Sequence, residues 1–255
     1  SYADSLTDLR PELYEYPCPF VTDTDEEIPH YSLYIGSLTE KTLVKADAPD
    51  FLYPVFTSAE KSTVKWMDDS RHFYFTWIAR GYQEACLYLG SAETKACRAV
   101  VRETTDRFLN LGAFGLLDGY ENYLFSNFIT QDRNWAFWQS ERNGFAHLYR
   151  YRLTENESIC EGDLFDASQK ELIVQKLIRV DERERQIYFM ANNVPECSDP
   201  MYYQLYRIGF DGSGLTRLTP EDAVHQISMG SQSFVDTYSR VDLPPVTVLR
   251  KLDGS

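Results

Sequence analysis

The side chains able to do covalent chemistry are plentiful in this chain, but no motif frames them for it. Four histidines occur, His30, His72, His147 and His225, among many serines and aspartates. In the α/β-hydrolase version of a Ser/His/Asp triad, the serine sits on a sharp strand-to-helix elbow, G-x-S-x-G, that exposes its hydroxyl. No G-x-S-x-G is present, and Gly212-Ser213-Gly214 and Gly230-Ser231 lack its frame. His147 starts an aromatic strand and reads as a hydrogen-bonded structural residue. No carboxylate pair of the glycosidase type can be singled out among 39 acids, and the Ser-x-Asp-x-Gly boxes of sialidase propellers are missing. The acidic run Asp23 to Glu27 lacks the glycine and terminal glutamate of a calcium loop. The five cysteines form no C-x-x-C of the zinc type. No catalytic residue, metal or cofactor is therefore expected in this chain.

Binding chemistry is better represented. Arg107, Phe108 and Asn110 combine a cation, an aromatic plate and an amide, a set able to grip a peptide backbone. They also read as a packing segment between structural units. Glu141 and Arg142 flank a turn, either as an exposed ion pair that contributes little or as the lining of a ligand chamber. Cys86 and Cys97 flank a predicted hairpin. They form a disulfide if their Cβ atoms face each other at about 4 Å, and two free thiols otherwise. Asn156-Glu157-Ser158 is a glycosylation sequon, meaningful only in a secreted eukaryotic protein.

These residues must be positioned by strands. The stretch Trp135 to Tyr151 places two aromatic-rich runs on either side of Asn143-Gly144. That dipeptide supplies the two positive-φ residues of a type I′ turn, so a tight hairpin is expected. Weaker copies recur along the chain. A Leu-Tyr pair marks the third strand of each copy, starting at Leu33, Leu87, Leu148 and Leu205, at intervals of 54, 61 and 57 residues. A regular period of four-stranded units is the mark of a β-propeller, whose blades bury their faces only against neighbours. The expected fold is all-β: a propeller of four-stranded antiparallel blades, about three complete and two incomplete. The blades are placed at 1–45 (partial), 60–105, 120–165, 170–220 and 222–255 (partial), within one domain or segment.

The composition sets limits on partners. A net charge of −14 argues against nucleic acid and against anionic lipid. No run of about 18 apolar residues is present, so no membrane-spanning helix is expected. The first residues lack the basic and apolar regions of a signal peptide. The compartment stays open between cytoplasm and periplasm or secretion.

Trp138 to Tyr149, W-x-S-E-R-N-G-x-x-H-L-Y, resembles the propeller of the dipeptidyl peptidase IV family of prolyl oligopeptidase-type serine peptidases, where W-x-S-E-R-D-G-x-x-H-L-Y is typical. Further pieces follow in the same order: Tyr14-Glu15-Tyr16-Pro17, Arg80-Gly81-Tyr82-Gln83, Phe108-Leu109-Asn110-Leu111, Ile187-Tyr188-Phe189, Asp211-Gly212, Arg217-Leu218-Thr219 and Pro244-Pro245. The resemblance implies a non-catalytic propeller that restricts access and positions a peptide. Cleavage would then belong to a hydrolase domain outside this chain. It also implies a disulfide between Cys86 and Cys97, a peptide substrate, and a homodimer of the full-length protein. The family's paired glutamates for the substrate amine have no counterpart here, because Glu26-Glu27 follows the Tyr-x-Tyr-Pro segment instead of preceding it. The competing reading is a stand-alone propeller that binds a protein or peptide.

Overall fold

A computed structural model describes residues 30–51, 64–109 and 127–255. All regular structure among them is β, in five antiparallel sheets. The first sheet pairs β1 (Tyr34–Ser37) with β2 (Thr42–Lys45). The second is a meander of β3 (Lys65–Trp66), β4 (His72–Ile78), β5 (Glu84–Ser91) and β6 (Cys97–Thr104). The third repeats it with β7 (Asn127–Ile129), β8 (Trp135–Ser140), β9 (His147–Leu153) and β10 (Ser158–Asp163). The fourth comprises β11 (Ile173–Asp181), β12 (Gln186–Asn192), β13 (Gln204–Gly209) and β14 (Thr216–Arg217). The fifth shows β15 (Val224–Met229), β16 (Ser233–Arg240) and β17 (Leu243–Lys251). These are the blades of a β-propeller.

The Leu-Tyr repeat has a structural cause. Leu87, Leu148 and Leu205 lie in the third strands β5, β9 and β13, and each has lost all contact with solvent. The following tyrosine stands opposite an aromatic residue of the second strand: Phe75 to Tyr88, Trp138 to Tyr149, Phe189 to Tyr206. The Phe75–Tyr88 and Phe189–Tyr206 rings stack at 5.2 and 5.8 Å. Both faces of the central blades are apolar, so the core is divided into layers between sheets. One layer joins Ile35, Phe51, Phe73 and Phe75. A second joins Leu87 and Val101 to Trp138, Tyr149 and Tyr151. A third joins Phe137 and Leu148 to Ile187 and Phe189. The fourth joins Tyr188 and Leu205 to Phe234.

The meander also sorts the loops. Turns between second and third strands leave each blade at the same end as the crossings from blade to blade. Turns between first and second strands leave at the opposite end. There the turns of three successive blades are bonded in a chain: the Asp68 N–H donates to Gln131 Oε1 at 2.8 Å, and the Gln131 N–H to Glu182 Oε2 at 2.7 Å.

Two expectations are corrected. The turn at Asn143-Gly144 is not type I′. Glu141 C=O accepts the Gly144 N–H at 2.8 Å, so Arg142 and Asn143 occupy the turn centre. Gly144 has φ +100°, while Asn143 is outside the positive-φ set. The loop is wider than a two-residue turn because the Asn143 side chain fastens it, donating to Asp163 Oδ2 at 2.8 Å and accepting the Phe145 N–H at 3.2 Å. The Cys86–Cys97 disulfide is not made, and both thiols are free. Cys86 stands opposite Arg102, and Cys97 opposite Gly90, four residues along β5 from Cys86. At about 3.4 Å per residue that offset is roughly 14 Å, far outside disulfide reach. Asn110, Tyr14 to Pro17 and Asp23 to Glu27 lie outside the described residues.

Two outcomes follow for the bench. Leu148→Ala should destabilise the fold by about 3 kcal/mol in urea denaturation, whereas Leu43→Ala on exposed β2 should cost less than about 0.5 kcal/mol. Burial, reinforced by Glu84 and by Asp47 respectively, pushes the Cys86 and Cys97 thiols up to about 11. Only the thiolate alkylates. Iodoacetamide labelling of both at pH 8 should therefore be slower than that of exposed Cys160, and should keep rising as pH approaches 11.

Candidate functional site

The end of the molecule that carries the second-to-third turns and the blade crossings brings most of the binding candidates together. Glu103, the penultimate residue of β6, has its carboxylate buried to 8% side-chain exposure. It crosses to the next blade. The Trp138 indole N–H donates to Glu103 Oε2 at 2.6 Å, and the Ser140 hydroxyl to Oε1 at 2.5 Å. Arg142 Nη2 donates to Oε2 at 3.0 Å, and its Nε to Ser140 Oγ at 2.9 Å. The guanidinium also lies over the Tyr149 ring at 4.3 Å and near that of Tyr151 at 5.9 Å.

The charge is well matched. Burial alone would lower the Arg142 pKa, but Tyr151 and Glu103 outweigh it and raise it further. Burial pushes the hydroxyls of Tyr149 and Tyr151 up to about 12, so both are neutral at ordinary pH. Arg142 thus belongs to an inter-blade ion pair with Glu103. A buried pair of this kind fixes geometry more than it adds stability, because desolvation offsets the Coulomb gain.

Four residues beyond Glu103, the chain reaches Arg107 and Phe108. Phe108 remains 49% exposed and packs on Tyr82 with ring centroids 5.0 Å apart. Tyr82 belongs to the turn between β4 and β5, where it holds φ +56°, next to Gly81 at φ +86°. Backbone bonds lock the two segments: Leu109 N–H to Tyr82 C=O at 2.7 Å and Thr105 N–H to Gln83 C=O at 2.9 Å. An aromatic plate, an exposed Arg107 and a pinned Arg142 loop therefore share one end, held together by Glu103. The described residues do not include Asn110. Glu103, Trp138, Ser140, Tyr149 and Tyr151 were not singled out from the sequence, and nothing there separates Glu103 from the other acids.

The histidines do other work. His72, His147 and His225 bond Asp69, Asp163 and Asp236 at 2.6, 2.6 and 2.8 Å. Among the described residues, none of these three rings has a serine hydroxyl on its other nitrogen. Glu221, His225 and Asp236 place ligand atoms within 4.8 Å of one another, in the manner of a cation site. Arg250 already puts a cation there, donating to Asp236 Oδ2 at 3.1 Å and Glu221 Oε1 at 2.5 Å. The arrangement works as a closed ionic lock between the fifth sheet and the segment that enters it.

A family model described as the dipeptidyl peptidase IV N-terminal region matches residues 3–245. The fold is similar to that of dipeptidyl peptidase 4 from Porphyromonas gingivalis, with TM-score 0.66 and 15% identity over 88% of this chain and 28% of that one. It is also similar to a Bacteroides ovatus protein assigned as a dipeptidyl aminopeptidase IV, with TM-score 0.60 and 14% identity over 90% of this chain and 36% of that one. The chain thus spans about a third of the length of these two proteins.

The Glu103 lock makes a definite forecast. Glu103→Ala leaves Arg142 beside two tyrosines without its counter-ion and should lower stability by about 2 kcal/mol in urea denaturation, discounted for the partial exposure of Arg142. The same variant removes the bond to the Trp138 indole and should shift tryptophan emission. An unchanged midpoint and spectrum would show the lock to be idle.

Proposed function

We propose, because this chain belongs to the dipeptidyl peptidase IV N-terminal region family, that it is the non-catalytic propeller of a serine exopeptidase of that type. In this reading the chain restricts access and positions a peptide, and a hydrolase domain supplied by a longer polypeptide performs the cleavage. The family match across residues 3–245 carries the proposal. The common placement of Arg107, Phe108, Glu141 and Arg142 at one end supports it. A peptide has amides to bond and apolar side chains to cover, and that end offers a cation, an exposed ring and a fixed loop.

The division of labour is open to direct assay. This chain alone should not release nitroaniline from Gly-Pro-nitroanilide, while the full-length protein should; robust turnover by the isolated chain would refute the non-catalytic assignment. In the full-length protein, Phe108→Ala should raise KM by about tenfold with kcat changed less than about twofold, the pattern of lost uniform binding. Glu155→Ala, at the opposite end, should leave both constants unchanged. Should Phe108→Ala also leave them unchanged, this end does not meet the substrate. The competing reading, a propeller that binds a peptide or protein outside any peptidase, would be favoured by a native reading frame without a G-x-S-x-G domain.

A further inference from the structure

The charge of this chain is unevenly distributed across its blades. The whole sequence carries −14. The first strands of four consecutive sheets, β3, β7, β11 and β15, carry Lys65, Lys176 and Arg179 against one acid, Asp181, a net of +2. In a propeller the first strand of each blade runs along the central axis. The first strands themselves therefore carry net positive charge inside an acidic protein, while the turns that follow β3 and β11 carry Asp68, Asp69 and Glu182.

Arg179 is already engaged, donating to Asp181 Oδ2 at 2.6 Å and to the Gly230 carbonyl at 2.7 Å. Lys65 and Lys176 have no ion pair or hydrogen bond among the described residues. Lys65 is the more telling of the two. It is half-buried, and its Nζ lies 5.5 Å from the centroid of Tyr74, its cross-strand neighbour on β4. Burial holds its pKa below the ordinary lysine value, and no carboxylate acts to raise it. The nearby carboxylate of Glu182 acts on the Tyr74 hydroxyl instead. A ring face returns only part of what an ammonium loses on leaving water, and three N–H donors stay unused. An unpaired, partly desolvated ammonium among net-positive first strands is the arrangement that receives an anion.

We propose that Lys65 receives a carboxylate at the axial edge, namely the C-terminal carboxylate of a peptide, with Lys176 and the net positive charge of the first strands drawing it in. The choice of a peptide over a small carboxylic acid rests on the proposed function; the carboxylate itself does not. Tyr74 forms the floor beneath the ammonium, and the bound carboxylate supplies the missing counter-charge.

Calorimetric titration of this chain with tetra-alanine, its C-terminal amide and sodium acetate tests the assignment. The free-carboxylate peptide should bind at least about tenfold more tightly than the amide, the worth of one charge-assisted hydrogen bond. Lys65→Met should abolish that difference and Lys65→Arg should keep it. Acetate binding that depends on Lys65, with the peptide no tighter than acetate, would overturn the peptide assignment and leave a small-anion site. Equal binding of carboxylate and amide, or no binding of either, would overturn the proposal, and this comparison on the unaltered chain stands even if Lys65→Met fails to fold. Carboxylate discrimination together with a failed nitroanilide assay on the full-length protein would keep this site while removing the peptidase reading.

Discussion

A four-stranded antiparallel sheet with two apolar faces cannot cover either one by itself, and every other feature of this chain depends on that constraint. The faces are satisfied only by neighbouring sheets, which is why the core comes in four layers between blades. The same constraint explains where the costly polar groups sit. Glu103 with Arg142 ties one blade to the next at the layer edge, and Glu221 with Arg250 ties the segment that enters the fifth sheet to that sheet's last strand. The Glu103 carboxylate is held by a guanidinium, an indole N–H and a hydroxyl, so its desolvation is compensated locally, whereas Glu221 is held by the Arg250 guanidinium on Oε1 and leaves Oε2 buried without a hydrogen bond. The apolar layers hold the blades together; the ionic locks fix how they are seated.

This seating is what gives the candidate site its form. Glu103 stands one residue from the end of β6, so the bonds that grip the next blade also fix the start of the segment leading to Phe108. Tyr82, in a left-handed conformation uncommon for a bulky residue, brings its ring under Phe108 from the neighbouring turn. The site is thus built from one crossing segment and two turns whose positions depend on inter-blade packing. At the opposite end the turns are linked to one another through Gln131 and Glu182. The two ends consequently differ in chemistry, one presenting aromatic and cationic groups, the other a bonded series of acidic turns.

Much of this architecture was legible in the sequence because it follows from period and pattern. The Leu-Tyr spacing exposed the repeat, since Leu87, Leu148 and Leu205 fill the same fully buried place in a third strand, while Leu33 lies just before β1 and is half-buried. The aromatic runs on either side of Asn143-Gly144 located the second and third strands of the blade they belong to. What the sequence did not reveal depends on side chains meeting across blades. Glu103 is one acid among 39, and only folding places it beneath Trp138, Ser140 and Arg142. Asn143-Gly144 promised a type I′ turn from local propensity, but the bond from Asn143 to Asp163, twenty residues away, imposed a wider loop. The cysteine pair had the right spacing and the wrong register, which a hairpin's strand pairing decides and spacing alone does not.

The account stands or falls on which end of the propeller meets peptide. A dipeptidyl probe with a photoreactive side chain, cross-linked to the full-length protein and mapped by mass spectrometry, reads this directly. Label concentrated in residues 80–83, 105–110 and 141–144 is the predicted result. Label confined to the turns at 132–134 and 154–157, or absent from this chain while the full-length protein turns over the probe, would contradict it.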